Sequence, residues 1–163
     1  MEHPPPRSKK KPESLSARGR ALRLLARREY TRRELAAKLA EHVPAPEELD
    51  ALLDDFTARG WLSEARVVEQ VVNAKRARLG PARIRRALLE RGVSEELIAP
   101  ALENLRPGEL AQARSVWARK FREPAGDRLA QARQVRFLQS RGFSVDVAMR
   151  VVMNSGASPT DEG

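Results

Sequence analysis

Apolar residues return at helical spacing along the chain, and small polar residues cut that pattern into short segments. Ile84, Ala87 and Leu88 form one such stripe, spaced three and four apart as one face of a helix requires. No stretch alternates apolar and polar with β-branched or aromatic enrichment, so strands have no support. Helix starts and stops are explicit. Thr31-Arg32-Arg33-Glu34 is a capping-box sequence, in which hydroxyl and carboxylate each satisfy an orphan amide. Gly80-Pro81 is expected to end one helix in a left-handed glycine cap and open the next on proline. Arg91-Gly92-Val93-Ser94 and Arg141-Gly142-Phe143-Ser144 share one stop–start signal. Gly takes the left-handed cap, the apolar residue folds back, and Ser caps the following helix. Arg59-Gly60-Trp61-Leu62-Ser63 is a looser copy.

The apolar positions repeat with the signals. A shift of 49 carries Leu35, Leu39, Leu49, Leu52 and Leu53 onto Ile84, Leu88, Ile98, Ala101 and Leu102. A shift of 50 carries Leu88, Val93, Leu97, Ala101 and Leu102 onto Leu138, Phe143, Val147, Val151 and Val152. The pattern predicts an all-α fold of three tandem three-helix repeats, at 16–62, 63–105 and 106–153, forming an elongated, curved array. A Pro-rich basic tail (1–15) and a polar tail (154–163) are expected to be disordered, and Pro107-Gly108 to act as a hinge-like break. Units this small are expected to share a continuous core with their neighbours.

Composition adds a charge problem to that helical scaffold. Lys and Arg number 31 against 22 Asp and Glu, a net charge of +9, which favours polyanionic partners. There is no cysteine, so disulfide and thiol chemistry are excluded and a reducing cytoplasm is permitted. No apolar run is long enough to span a bilayer, and the N-terminus lacks the apolar segment of a secretory signal.

The basic residues cluster. Lys75, Arg76, Arg78, Arg83, Arg85, Arg86 and Arg91 straddle the Gly80-Pro81 turn with Glu90 alone among them as an opposing charge. Arg83 and Arg86 share a helix face directed away from the buried stripe. A second stretch holds Arg114, Arg119, Lys120, Arg122, Arg128, Arg133, Arg136 and Arg141. The candidate binding set is Lys75, Arg76, Arg78, Arg83, Arg85, Arg86, Arg91, Arg133, Arg136 and Arg141. An ordinary solvated face, with Arg86 pairing to Glu90, is the competing reading. Residues 41–55 carry six acidic side chains and no Lys or Arg, either a protein-contact patch or a bias toward a helix N-terminus.

Catalysis finds no constellation. His3 and His42 lack spaced metal-ligand partners, and there is no phosphate loop or nucleophile elbow. Adjacent Asp54 and Asp55 point about 100° apart on a helix and cannot converge on one atom. The expectation is a non-enzyme with no cofactor and no metal. Trp61, Trp117, Phe56, Phe121, Phe137 and Phe143 are expected to anchor the core rather than read bases.

Three segments resemble the RecX family in order and spacing. They are Ala21 through Leu35; Gly60-Trp61-Leu62 followed by Arg78 through Ile84 and Leu88 through Val93; and Arg136 through Phe143. The resemblance spans about Ser16 to Met153. It implies tandem three-helix repeats and a regulator of RecA in DNA repair and the SOS response. Such a protein binds RecA and the RecA–ssDNA filament in its helical groove and restrains ATP hydrolysis, strand exchange and coprotease activity. A cytoplasmic monomer is expected, with single- or double-stranded DNA as a further direct partner and no membrane. The chain departs from the family after Leu62, where Ser63-Glu64 replaces an Asp pair and Val67 stands at a position often occupied by Phe. Any partner contact made by that Asp pair is in doubt here. The rival expectation is a helix-turn-helix protein reading DNA sequence directly, against which the scarcity of Asn and Gln on the basic helices speaks.

Overall fold

The computed structural model describes residues 15–156, which form nine α-helices and one 3-10 turn, with no strand among them. The expected tails at 1–14 and 157–163 lie outside the described residues. Near them, the last helix runs through Asn154 rather than fraying before it. The chain divides into two compact units that part after Leu62.

The first unit holds α1 (Ala17–Arg27), α2 (Arg32–Leu39) and α3 (Pro46–Ala58). The predicted capping box is present at the start of α2. Glu34 N donates to Thr31 Oγ1 (3.1 Å) and Thr31 N donates to Glu34 Oε2 (3.0 Å). Leu35, Leu39, Leu53 and Phe56 are fully buried together with Ala21 and Leu62. Trp61 leans on Phe56 with ring centroids 5.6 Å apart but keeps 39% of its surface open, so it is less of a core anchor than expected. The guanidinium groups of Arg18 and Arg59 lie 5.6 and 5.1 Å from its ring.

The second unit holds α4 (Glu64–Lys75), α5 (Pro81–Glu90), α6 (Glu95–Leu105), α7 (Glu109–Lys120), α8 (Arg128–Ser140) and α9 (Val145–Asn154). The break expected at Pro107-Gly108 is instead one 3-10 turn, Arg106–Gly108, that carries α6 into α7 without a loop. The stop–start signals behave as predicted at the glycines. Gly60, Gly92 and Gly142 have φ of 73°, 87° and 95°. After each the chain folds back: Trp61 N, Val93 N and Phe143 N donate to the carbonyls of Phe56, Leu88 and Leu138 (2.9–3.2 Å). Ser63 and Ser144 cap α4 and α9 through their hydroxyls, whereas Ser94 makes no side-chain cap to α6.

The expectation of a continuous core fails within the second unit. The α4–α6 repeat closes its own cluster around Val67, Ile84, Leu88 and Ile98, and the α7–α9 repeat closes another around Ala113, Leu138, Ala148 and Val151. Hydrogen bonds to backbone carbonyls, from amides and from the side chains of Arg83 and Arg119, cross between the two repeats.

Candidate nucleic-acid interface

The joint forms where the end of α8 meets the start of α5. Every helix leaves its first amides and last carbonyls without intrahelical partners. Gly80 caps α5 without a side chain, so those amides need another source of acceptors. Gly80 N donates to the Arg141 carbonyl (2.7 Å) and Ala82 N donates to the Gly142 carbonyl (3.0 Å). The negative end of one helix dipole thus faces the positive end of another.

Glycine is required at both contact points. Gly80 is not the left-handed cap expected from the sequence, since its φ is −81°. It is glycine because a Cβ there would sit 2.5 Å from the Gly142 backbone. A Cβ on Gly142 would meet the Arg83 backbone N at 2.6 Å, at a φ already in the left-handed region.

Beside this joint four cations converge. Arg78 comes from the turn before α5, Arg119 and Lys120 from the last turn of α7, and Arg141 from the cap of α8. They rim a groove of about 240 Å³ floored by Val116 and Phe137. Arg119 Nε donates to the Ser115 carbonyl (3.3 Å), and its Nη2 donates to the Ala77 carbonyl across the repeats. Lys120 and Arg141 stand 5.9 and 5.2 Å from the centre of the Phe137 ring. Phe121 braces that ring edge-on at 5.3 Å. None of the four cations pairs with a carboxylate among the described residues, and no acidic residue lines the groove.

The predicted set divides. Arg78 and Arg141, sixty-odd residues apart in sequence, are brought into one groove. Arg83 turns toward the joint, with Nη1 donating to the Ser140 carbonyl (3.4 Å). Arg85 pairs with Glu95 and Arg86 with Glu90 (3.1 Å), so Glu90 is not the lone opposing charge. Arg76, Arg133 and Arg136 are exposed outside the groove, while Lys75 and Arg91 are half-buried. Arg119 and Lys120 lie in the second basic stretch but outside the candidate set; an Arg-Lys pair closing a helix was the available signal. Trp117 is engaged inward, donating from Nε1 to Gln134 Oε1 (2.9 Å).

Unneutralised guanidinium forks and an ammonium beside an aromatic floor suit phosphate oxygens and a stacked base. A larger cleft of about 600 Å³, lined in part by α5, mixes Arg85 and Arg106 with Glu103, Glu109 and Asp146, a balance that does not favour a polyanion. Among the described residues no three His, Asp or Glu cluster as metal ligands, and no helix is long and apolar enough to cross a membrane.

Family models for the first, second and third three-helix domains of RecX match residues 17–55, 63–102 and 108–152 in order. A protein of Leptothrix cholodnii named regulatory protein RecX is 51% identical over 138 residues, 85% of this chain and 88% of that protein. Another of the same name from Ralstonia nicotianae is 38% identical over 145 residues, 89% of this chain and 91% of its own. The crystal structure of RecX from Lactobacillus salivarius superposes with a TM-score of 0.75 at 17% identity, covering 85% of this chain and 93% of that one. With three domain models in register and half of the aligned residues shared with a curated relative, the chain belongs to the RecX family of regulatory proteins.

Proposed function

We propose that this protein regulates RecA by seating the cationic groove beside Gly80 and Gly142 on DNA phosphates within the RecA–ssDNA filament. The bound protein opposes the protomer motions that accompany nucleotide turnover, and so restrains ATP hydrolysis, strand exchange and coprotease activity. It acts by binding alone, with no covalent chemistry. The observation that carries this reading is the convergence of Arg78, Arg119, Lys120 and Arg141, free of carboxylates, on a joint fixed by backbone hydrogen bonds. Sequence-specific readout is disfavoured because the groove's lining offers no Asn or Gln to a base edge.

The test is RecA ATPase on single-stranded DNA with increasing amounts of this protein. Wild type lowers the rate. Arg78→Glu/Lys120→Glu, which breaks no hydrogen bond described above, weakens inhibition at least about tenfold, as loss of two charge-assisted contacts requires. Its circular dichroism and melting temperature stay unchanged. Full inhibition by that variant removes the groove from the interface.

A further inference from the structure

The first unit carries a second cationic groove that the reading above does not use. Arg20, Arg23 and Arg27 are spaced three and four apart on α1, so one helix face presents all of them. Lys38, in the last turn of α2, and His42 beyond it also line the groove. Leu15, Leu24 and Leu39 complete its lining, around a volume of about 260 Å³.

Four carboxylates of the unit are engaged away from the groove. Asp55 is committed to Arg18 and Arg59, Asp50 and Asp54 to Arg32, and Glu34 to the α2 cap and Arg28. No carboxylate lines the groove, and Arg23, Arg27 and Lys38 make no ion pair among the described residues.

The lining sets the class of ligand. The groove beside Gly80 has a phenyl ring in its floor; this one is lined by leucines, with the imidazole of His42 at its edge as its one ring. A phosphodiester strand would satisfy the cations but leave the exposed Leu15 and half-buried Leu24 facing water. The volume falls short of the roughly 300–1,000 Å³ typical of small-molecule sites, and suits one or two inserted side chains. A peptide with carboxylates flanking an apolar side chain satisfies both halves of the surface. We infer that the groove between α1 and α2 docks an acidic segment of a protein partner. An apolar side chain sits on Leu15 and Leu24 above the buried Leu39, while carboxylates pair with Arg23, Arg27 and Lys38. This inference shares no residue with the nucleic-acid groove and does not depend on it.

The full chain is titrated by fluorescence anisotropy against three probes. One is a labelled peptide of about a dozen Glu and Asp residues with Leu at positions i and i+4. The second is the same peptide with Ser for Leu, and the third is an oligo(dT). The Leu peptide binds, the Ser peptide binds about tenfold more weakly, and Arg23→Glu/Lys38→Glu weakens the Leu peptide at least about tenfold without changing oligo(dT) binding. Arg23→Gln/Lys38→Gln gives a smaller loss in the same direction, and serves if the reversal disturbs folding by circular dichroism. Arg78→Gln/Lys120→Gln changes oligo(dT) binding alone. The inference is overturned if the Leu peptide does not bind, if both peptides bind equally, or if the α1–α2 variants weaken oligo(dT) instead.

Discussion

Asp55 lies between two guanidinium groups, with Arg59 Nε 3.0 Å from both of its oxygens and Arg18 Nη1 3.0 Å from one. The hydrogen bond from Arg59, and then that from Arg18, hold its carboxyl below the ordinary value of about 3.9. A lowered folded-state value stabilises the fold at pH above the unfolded value and loses that contribution as pH falls through the folded one. Asp55→Asn keeps an acceptor but removes the charge. The variant therefore melts below wild type near neutral pH, and the gap in melting temperature narrows as the pH is lowered below about 4. A gap that is constant across that range would assign the effect to shape rather than charge. The pair is exposed, so salt should shrink the gap as well. The sequence showed Asp54 and Asp55 as a pair that could not act together, and the structure sends them to different arginines, Asp54 to Arg32 and Asp55 to Arg18 and Arg59.

Between elements, the contact that matters for the candidate site is the one joining α5 to α8. Its glycines make two separable demands. Gly60 has φ of 73° and open space around its missing Cβ, so Gly60→Ala carries only the left-handed backbone cost of roughly 1–2 kcal/mol. Gly142→Ala adds a collision with Arg83 and should cost about 2–4 kcal/mol. Gly80→Ala has no left-handed cost, yet collides with the Gly142 backbone, so it destabilises by forcing the two helix ends apart. Chemical denaturation ranks the three. Gly80→Ala should also weaken oligo(dT) binding, because Arg78 and Arg141 sit on opposite sides of the joint; unchanged binding would show that the joint does not set the groove. The repeats themselves were legible in sequence because their punctuation is local: Gly142 and Ser144 act on residues within a turn of themselves. The joint was not legible, because it pairs Gly80 with Gly142 through backbone groups that carry no side-chain signature. The same distance hid the groove. The charge density near Gly80-Pro81 singles out Arg85 and Arg86 in the sequence, yet both pair with carboxylates, while Arg119 and Lys120 arrive from another repeat.

For the molecule as a whole the issue is whether +9 acts as a diffuse field or through placed contacts. Both attract nucleic acid, and both weaken with salt, so affinity at one ionic strength does not separate them. The salt slope does. Each single-strand phosphate that is neutralised releases condensed counterions and contributes about 0.7 to the slope of log K against log salt. Two variants that remove two positive charges each leave the same net charge, since +9 less two is +7 in both. In Arg85→Gln/Arg86→Gln the lost charges were already paired with Glu95 and Glu90. In Arg78→Gln/Lys120→Gln they were unpaired and lined the groove. If the groove makes phosphate contacts, the second variant flattens the slope for oligo(dT) by about 1.4 and the first by much less. Equal flattening by the two would mean that the protein attracts the strand by total charge, and that the convergence of cations beside Gly80 and Gly142 has no part in holding it.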